Sequence, residues 1–312
     1  MRILVAEPLA EEGLALLRSQ AEVDYAPKLK RDELLGRLIG AQALVVRSGV
    51  KVDKQVIAAG TQLVVIGRAG TGLDNIDLIA AREAGITVVN APDANTAAAA
   101  EHALGLLFAL ARHIPAADAS LRRGEWRRAD FIGTELAGKT LGIVGLGRIG
   151  LGLAARAAGL QMTMLGADPF VSAGQALEYR VRLVELGELL SRSDFVTLHV
   201  PLMPSTRTML GEAELATMKP SAMLINTARG GLVDESALAA ALSEGRLAGA
   251  AIDVFADEPL APDSALRSAP HTVLTPHLAA STREAQVRAG VQTAQAVLDV
   301  LAGHPQGYAA VR

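Results

Sequence analysis

Residues Thr140–Asp168 read TLGIVGLGRIGLGLAARAAGLQMTMLGAD: an apolar strand pattern, a glycine-rich loop, a helical pattern, a second strand pattern and an acid. Gly145, Gly147 and Gly150 stand in G-x-G-x-x-G spacing between the first strand and the helix. Such a loop lets a pyrophosphate approach the backbone at the positive N-terminus of a helix. Asp168 ends the second strand, where a carboxylate can bind an adenosine ribose 2′-OH. The stretch predicts dinucleotide binding, with a purely structural strand-to-helix turn as the lesser alternative.

The alternation of short apolar runs with helical patterns continues on both sides of this stretch. Strands that alternate with helices form parallel βαβ units, so we predict an α/β protein with two doubly wound parallel-sheet domains. The predicted strands are 2–6, 22–25, 43–47, 63–66, 86–90, 140–144, 161–168, 195–200, 222–226, 248–254 and 272–274, and the predicted helices are 9–20, 31–39, 76–84, 97–112, 151–160, 183–191, 209–218, 235–243 and 281–302. About seven of the strands would form the dinucleotide sheet.

Composition narrows the class of protein. Of the 312 residues 50% are hydrophobic and 20% are charged, the formal net charge is −3, and there is no cysteine. Without a concentrated basic surface a nucleic-acid partner is not expected, and without cysteine there is no disulfide or thiolate metal site. The start of the chain lacks a signal peptide, and the apolar run 97–111 is short for a membrane span and contains Glu101 and His102. We predict a cytoplasmic protein with no membrane partner.

Three further loops follow predicted strands at what should be the edge of the sheet that holds the dinucleotide. NTARGGLVDE contains Arg229, AIDVFADEP contains Glu258, and VLTPHLAAST contains His277. Arg229 has the planar fork of donors that suits a carboxylate, and His277 can exchange a proton near neutral pH. Glu258 can accept the second ring N–H of the histidine and fix its tautomer. A single loop histidine is more often structural, but these three residues together predict acid–base chemistry on a small acid.

The first domain carries two loops that could face this substrate. GRAGTGLDN begins a G-x-G pattern, but Asn75 stands where the third glycine would be, so a substrate loop is favoured over a second dinucleotide site. RSGVK follows the neighbouring strand and should lie at the same edge. Arg47, Lys51 and Arg68 could then gather around an anionic substrate; the alternative is that they are three solvated surface charges. The predicted substrate-binding residues are Arg47, Ser48, Gly49, Lys51, Arg68 and Gly70.

Residues 97–112 predict a helix that is apolar on more than one face. Such a helix is usually buried, so it would bridge two domains or lie in a subunit interface. RRGEWRR, at 122–128, holds the only tryptophan, Trp126, which is either an interface anchor or part of a local surface cluster. We predict a homodimer, or a dimer of dimers, joined through this helix and the Trp126 loop.

The motifs GLGRIG, NTARGG, DVFADEP and PHLAAST, together with GRAGTGLDNID and NTAAAAEHALGLL, resemble the signatures of the D-isomer-specific 2-hydroxyacid dehydrogenases. The resemblance covers essentially the whole chain. It implies a Rossmann NAD domain inserted into a smaller, flavodoxin-like substrate domain. On that pattern, residues 1–95 would form the first part of the substrate domain, 96–284 the NAD domain, and 285–312 a helix that returns to the substrate domain.

The family's roles fall on particular residues by motif match. The resemblance implies that Arg229 binds and polarises the substrate, Glu258 supports the histidine and His277 is the catalytic acid or base. The implied cofactor is NAD, and no metal is implied. The implied substrate is a small anionic D-2-hydroxy or 2-oxo acid. The basic residues Arg47, Lys51 and Arg68 favour a phosphorylated acid of this kind. The implied cofactor-binding residues are Thr71, Gly145, Gly147, Arg148, Ile149, Gly150, Asp168, Thr227, Ala228, Asp253 and Ala280.

The sequence departs from the family pattern in places and leaves alternatives open. Val200 stands where relatives often have a small polar residue near the cofactor, so we expect one hydrogen bond fewer there. The sequence ends at Arg312, and a serine-sensing regulatory domain is not expected. Another dehydrogenase of the family, such as a glyoxylate/hydroxypyruvate reductase or a D-lactate-type enzyme, is one alternative. A non-enzymatic NAD(H)-sensing protein is the other, and the Arg–Glu–His set counts against it.

Overall fold

The structure is a computed structural model, and it describes residues 1–304 and the backbone of residues 309–311. The chain folds into two compact units, one of Met1–Asn95 with Ala280–Arg312 and the other of Thr96–Ala279. The chain returns from the second unit to the first between residues 279 and 280, whereas the family resemblance implies a return between 284 and 285. The difference has a physical reason: the Asp253 carboxylate binds the backbone N–H groups of Leu278 and Ala279 and so keeps the chain in the second unit up to that point.

The first unit contains a six-stranded sheet in the order β13-β5-β4-β3-β1-β2. Strands β1 to β5 are parallel in the flavodoxin-like order 2-1-3-4-5, as predicted. The edge strand β13, missing from the prediction, pairs antiparallel with β5. The strands are β1 (Arg2–Val5), β2 (Glu22–Tyr25), β3 (Ala43–Val46), β4 (Val65–Arg68), β5 (Thr87–Asn90) and β13 (Ala309–Val311), and the helices are α1 (Glu11–Arg18), α2 (Arg31–Arg37), α3 (Lys54–Ala59), α4 (Leu78–Glu83) and α12 (Arg283–Leu301).

The second unit contains a seven-stranded parallel sheet in the order β12-β11-β10-β9-β6-β7-β8. This is the Rossmann order 3-2-1-4-5-6 with one further strand, which confirms the predicted fold class. The strands are β6 (Thr140–Val144), β7 (Thr163–Ala167), β8 (Val181–Leu183), β9 (Phe195–Leu198), β10 (Met223–Asn226), β11 (Gly249–Ile252) and β12 (Thr272–Leu274), and the helices are α5 (Thr96–Ala111), α6 (Ile114–Arg122), α7 (Arg148–Ala157), α8 (Ala173–Glu178), α9 (Leu186–Arg192), α10 (Glu212–Thr217) and α11 (Glu235–Ser243).

Both sheets are covered on both faces, because alternate residues of each strand pack into different clusters. In β1, Ile3 and Val5 join one core and Leu4 the other. In β10, Leu224 faces one core of the second unit and Ile225 the other. A strand buried on both faces reads as a continuous apolar run, which is why these strands were recognisable in the sequence.

The apolar helix α5 is accounted for inside the second unit. Eight of its residues are buried, and it packs against α7 and against β10, β11 and β12. Its wide apolar surface therefore does not by itself require a second domain or a second subunit. Phe108 is the large apolar side chain that α5 exposes among the described residues, and residues 112–133 expose four more, Ile114, Leu121, Trp126 and Ile132.

The missed elements are short or are defined by contacts that a sequence pattern does not show. The sequence prediction lacks α3, α6, α8 and β8; α3 and α8 span only 6 residues each and start at side-chain caps, Asp53 and Ser172. The helix predicted over 209–218 is confined to α10, because Leu210 forms a β-bridge with Val233 instead. Helices of 6 residues, such as α3 and α8, and a strand of 3, such as β8, carry too little periodicity to be recognised.

Candidate active site

One edge of the second sheet carries the loops that contain Arg229, Glu258 and His277. Strands β10, β11 and β12 are parallel neighbours, so the segments that follow them leave from the same edge. The glycine loop leaves β6 at that edge too, because β6 is parallel to β9 and β9 to β10. The structure therefore brings together the four loops that the sequence singles out in this unit.

His277 and Glu258 form a hydrogen-bonded pair, with 2.8 Å between His277 Nδ1 and Glu258 Oε2. The other carboxylate oxygen accepts a hydrogen bond of 3.0 Å from the backbone N–H of Phe255, which orients the carboxylate. This arrangement assigns the proton of the neutral ring to Nδ1, and Nε2 is left to exchange a proton with a ligand. Side-chain exposures of 46% for His277 and 38% for Glu258 keep the pair accessible.

The backbone around His277 is held by Asp253, which directly follows β11. The His277 N–H donates to the Asp253 carbonyl oxygen at 2.8 Å, and the N–H groups of Leu278 and Ala279 donate to its carboxylate at 2.7 and 2.9 Å. His277 itself has φ = 54°, in the left-handed region that residues other than glycine seldom occupy. The loop that presents the histidine is therefore held by the backbone and the side chain of one buried residue, Asp253.

The Asp253 side chain is wholly buried, and protein donors bind both of its oxygens. Thr275 Oγ1 donates at 2.6 Å, and His102 Nε2 lies 3.2 Å away. Burial alone would raise the pKa of this carboxyl, but the hydrogen bonds from His102, Thr275 and the two backbone N–H groups hold the pKa below its ordinary value. The family resemblance implies a cofactor contact for Asp253, which stays a prediction; the structure shows in addition that the Asp253 carboxylate organises the histidine loop.

Arg229 follows β10 in a turn built by Asn226. The Asn226 side chain donates to the Arg229 carbonyl oxygen at 2.8 Å and accepts from the Ala228 N–H at 3.1 Å. Arg229 Nη1 donates to the Ala228 carbonyl oxygen at 2.7 Å. A Cβ on the next residue, Gly230, would lie 1.8 Å from the carbonyl carbon of Phe255, so only glycine lets this turn pack against the loop that contains Glu258. The arginine loop and the glutamate loop are thus in direct backbone contact.

The glycine loop between β6 and α7 has the form that the motif predicts. Gly145 has φ = 90°, and a Cβ on Gly150 would lie 2.0 Å from the Gly145 carbonyl oxygen, so the helix approaches the strand as closely as a glycine permits. Gly147 is the N-cap of α7, and a glycine has no side chain with which to cap the helix. Arg148 and Ile149 form the first turn of α7, whose N–H groups point towards the N-terminus. The loop therefore offers an uncapped helix N-terminus.

Two polar side chains at this edge of the sheet fit a dinucleotide. Asp168 accepts hydrogen bonds of 2.8 Å from the N–H groups of Leu146 and Phe170, one on each oxygen, so each oxygen keeps a lone pair for a ribose hydroxyl. The Thr227 hydroxyl is buried and has no hydrogen-bond partner within the part of the chain that the structure describes. Because buried polar groups are nearly always hydrogen-bonded, this hydroxyl suits a ligand group.

In the first unit the two predicted substrate loops are joined to each other. The Asn75 side chain donates to the carbonyl oxygens of Arg47 and Val50, at 2.8 and 2.7 Å. The Glu7 carboxylate accepts hydrogen bonds from three backbone N–H groups of one loop, at 2.6 Å (Arg47), 2.9 Å (Gly49) and 3.1 Å (Val50). These three N–H groups are therefore bound by the protein itself and are not available to an anion.

The remaining predicted residues of the first unit have local partners or lie in the same loops. Ser48, Gly49 and Lys51 are exposed, whereas Arg47, Arg68, Gly70, Thr71 and Ala280 are partly buried. The Arg68 guanidinium lies against Gly70. The Thr71 hydroxyl lies 2.8 Å from the Asn95 side-chain oxygen. A second dinucleotide site in GRAGTGLDN finds no support, because Asp77 caps the helix that follows, α4, by accepting from the Ala80 N–H at 2.9 Å.

Sequence reasoning missed four residues that shape these sites: Glu7, His102, Asn226 and His199. Glu7 follows β1 at the carboxyl edge of its sheet, so the strand-end rule that selected Arg229 also applied to it. Asn226 ends β10 and is 1% exposed. His102 interrupts an apolar helix, and a polar side chain in such a helix indicates a buried partner.

Residues 1–304 and 309–311 lack two kinds of feature. No helix there is both long and apolar enough to cross a membrane. In the same residues, no three side chains of His, Asp or Glu converge as a metal site would require.

Known proteins resemble the chain over nearly its whole length. The family described as "D-isomer specific 2-hydroxyacid dehydrogenase, NAD binding domain" matches residues 104–279. The chain is 49% identical to a D-3-phosphoglycerate dehydrogenase of Methanocaldococcus jannaschii, over 97% of this chain and 58% of that protein. It is 47% identical to the protein of that name from Synechocystis sp., over 97% of this chain and 55% of that protein. The chain thus spans somewhat more than half the length of these relatives.

Among solved structures, the chain is similar to the TT0316 protein from Thermus thermophilus, with a TM-score of 0.92, 37% sequence identity and 100% coverage of both chains. The residues that match the family lie within the second unit, which contains the glycine loop and the His277–Glu258 pair. The chain therefore belongs to the D-isomer specific 2-hydroxyacid dehydrogenase family, with its NAD-binding domain in the second unit.

Proposed function

We propose that the protein is an NAD-dependent D-2-hydroxyacid dehydrogenase that oxidises 3-phosphoglycerate to 3-phosphohydroxypyruvate, the first step of serine biosynthesis. The observation that carries the proposal is the His277–Glu258 pair, with 2.8 Å between Nδ1 and Oε2. This pair lies at the same sheet edge as the glycine loop that leads into α7. The names of the relatives from M. jannaschii and Synechocystis support the choice of substrate. The motifs VRSGVKV and GRAGTGLDNID resemble the same branch of the family.

The residues at the sheet edge divide the work of the reaction. Nicotinamide, when bound, supplies the hydride for a 2-oxo acid and accepts it from a 2-hydroxy acid. His277 donates a proton from Nε2 to the substrate oxygen in reduction and removes it in oxidation, while Glu258 holds the ring through Nδ1. Arg229 binds the substrate carboxylate through its forked donors. Acid–base help of this kind is worth ~10²–10⁴-fold in rate.

The proposed cofactor residues favour NADH over NADPH. The first turn of α7 at Arg148 and Ile149 would receive the pyrophosphate, and Asp168 the ribose hydroxyls. The Asp168 carboxylate would repel a 2′-phosphate, and Pro169, Phe170, Val171 and Ser172 supply no arginine for one. We expect kcat/KM to be higher with NADH, and Asp168→Ala combined with Phe170→Arg to narrow the preference. An unmodified protein that works equally well with NADPH would contradict this placement of Asp168.

The basic residues of the first unit are the proposed source of substrate choice. Arg47 and Lys51 lie in the loop after β3 and Arg68 ends the neighbouring strand β4, and these three residues favour a doubly anionic substrate. Following NADH absorbance with phosphohydroxypyruvate, hydroxypyruvate, glyoxylate and pyruvate tests the proposal. A preference for glyoxylate or hydroxypyruvate would favour the reductase alternative. Binding of NADH without turnover of any acid would favour an NAD(H)-sensing protein.

The assembly we propose is a homodimer or a dimer of dimers, joined through residues 112–133. This segment leaves and rejoins the C-terminus of α5, where the Thr134 N–H donates to the Ala111 carbonyl oxygen. It exposes large apolar side chains, with Trp126 at 84% and Ile132 at 81%. The arginines beside Trp126 pair with Glu125 and Asp130, which leaves the indole uncovered. A monomer in sedimentation at micromolar concentration would contradict this proposal.

A cytoplasmic location, which a chain without cysteine fits, is proposed as well.

A further inference from the structure

His102 lies on α5, at the side of the buried Asp253 carboxylate that holds the histidine loop. We infer that His102 is a positioning residue: it donates its Nε2 hydrogen to Asp253 and so ties the loop that presents His277 to the rigid helix α5. It would act through Asp253 and Thr275 and would not touch the substrate.

The contacts support this reading directly. His102 Nε2 lies 3.2 Å from Asp253 Oδ1 and 3.4 Å from Thr275 Oγ1, and the Thr275 hydroxyl donates to the same Oδ1 at 2.6 Å. Since a charged carboxylate only accepts hydrogen bonds, Nε2 of His102 must be the protonated ring nitrogen. The histidine is thus a donor of defined tautomer and not merely a ring of suitable shape.

His102 differs from the other donors in where it comes from. The other donors to this carboxylate, Thr275, Leu278 and Ala279, all lie in the segment that carries His277. His102 is the donor that belongs to a different element within the described part of the chain. Because α5 is buried against β10, β11 and β12, its position does not depend on the loop. His102 therefore binds the Asp253 carboxylate to a helix that lies outside the loop which the carboxylate organises.

Removing the His102 hydrogen bond should make the loop that carries His277 more mobile without lowering the affinity for the cofactor. Asp253 is wholly buried, and a buried carboxylate that loses a donor bears a desolvation cost that can be relieved only by movement. The segment that would move is the one whose N–H groups the Asp253 carboxylate binds, Leu278 and Ala279. His277 directly precedes these two residues and would move with them. The first turn of α7, which would receive the cofactor, lies on a separate loop, so the effect should fall on turnover rather than on cofactor affinity.

The decisive measurement is hydrogen–deuterium exchange of the Leu278 and Ala279 amides in the full chain, compared with steady-state kinetics using NADH and phosphohydroxypyruvate. His102→Phe and His102→Leu remove the donor, and His102→Gln keeps an N–H in the position of Nε2. We expect each non-donor variant to exchange these amides about tenfold faster and to lose about tenfold in kcat, with KM for NADH within about twofold. Two non-donor variants are used so that one of them folds.

Controls separate a hydrogen bond from general packing. His102→Gln should restore slow exchange and kcat, whereas Glu101→Gln, which breaks only the neighbouring ion pair with Arg156, should behave as the parent. Parental exchange and kcat in a folded non-donor variant would overturn the inference. So would a His102→Gln variant as impaired as His102→Phe. The kinetic readout rests on the proposed function, but the exchange readout does not: a parent without turnover would refute the function and leave exchange to decide the role of His102.

Discussion

In the first unit three backbone N–H groups that follow β3 donate to the protein's own Glu7, whereas in the second unit α7 begins at Gly147, which has no side chain to cap the helix. Asp53 and Asp77 cap the first unit's helices α3 and α4 in the same self-contained way. Gly147 stands at the N-cap of α7, where a side-chain cap is usual. Both units have parallel strands with glycine-containing loops at their carboxyl edges. We therefore expect the anion site at α7, where the lack of an N-cap side chain is combined with a glycine loop.

The second unit also differs in what its carboxylates bind. Carboxylates of both units bind backbone N–H groups, but Glu258 also binds the His277 ring and Asp168 keeps a lone pair on each oxygen, whereas Glu7 and Asp77 of the first unit are bound by backbone N–H groups. This contrast leads us to expect chemistry and cofactor binding in the second unit, with stability as the main role of the carboxylates in the first.

The largest effect should come from His277. We expect His277→Ala to lower kcat by ~10²–10⁴-fold, because the substrate oxygen loses its proton donor, with NADH affinity nearly unchanged. Absorbance assays give kcat, and NADH fluorescence titration gives the affinity. His304→Ala, at an exposed histidine of the first unit, is the matched control and should keep the parental kcat. Turnover equal to the parent in His277→Ala would remove the histidine from the mechanism.

A smaller loss is expected for Glu258→Gln. The amide can still accept a hydrogen bond from the ring, but the ring loses its charged partner, so kcat should fall less than in His277→Ala and the pH profile should shift. Rates measured across pH for parent and variant would show this shift. An unchanged profile would count against the functional pairing.

The contrast between the helix caps can be reversed by one substitution. Gly147→Asp should give α7 the cap that α4 already has, because the Gly147 backbone is extended and a Cβ there meets nothing within 4 Å. We expect NADH affinity to fall by more than about 100-fold through like-charge repulsion, while stability rises by about 0.5–2 kcal/mol. Fluorescence titration and urea unfolding measure the two effects. Gly147→Ala, which adds bulk without a cap or a charge, is the control, and an Asp variant that binds NADH as the Ala variant does would refute the open anion site.

The internal anion of the first unit can be tested in the same way. Glu7→Gln should cost about 1.5–3 kcal/mol of unfolding free energy, because backbone N–H groups lose a charged acceptor. NADH affinity should stay parental. Glu11→Gln is the control, since the Glu11 side chain is 74% exposed in a surface ion pair with Arg18 and should matter little. Equal unfolding curves for the two variants would show that Glu7 does not organise its loop.

The smallest effect concerns acid stability of the second unit. His199 lies beneath the glycine loop, where a Cβ on Gly145 would lie 2.7 Å from its carbonyl oxygen, and burial lowers the pKa of His199 from 6.5 to about 4. The unfolded chain then binds more protons than the folded one between these values. This contribution to stability is full above about pH 6.5 and is lost as the pH falls towards about 4.

Replacing His199 should therefore flatten the acid side of the stability profile. We expect His199→Gln to lose less Tm than the parent between about pH 7 and about pH 5, because the glutamine does not titrate. Calorimetry at several pH values measures this. Parallel Tm profiles for parent and variant would show that His199 is not the source of the acid sensitivity.

Local patterns in the sequence were enough to predict much of this protein. Continuous apolar runs indicated strands buried on both faces, and the spacing of Gly145, Gly147 and Gly150 indicated a strand-to-helix loop. The rule that parallel strands end at one edge then placed Arg229, Glu258 and His277 near each other. These inferences succeed because strand periodicity, glycine geometry and sheet polarity are properties of short segments.

Tertiary structure decided the contacts between residues far apart in sequence. Glu7 binds the N–H of Gly49 across 42 positions, and His102 meets Asp253 across 151. No local pattern records such a partner, because the free energy that selects it comes from burying a charge and satisfying it at once. The sequence thus determined which groups can do chemistry and at which sheet edge they stand. Only the folded chain determined which backbone N–H groups are already taken by the protein's own carboxylates and which are left open.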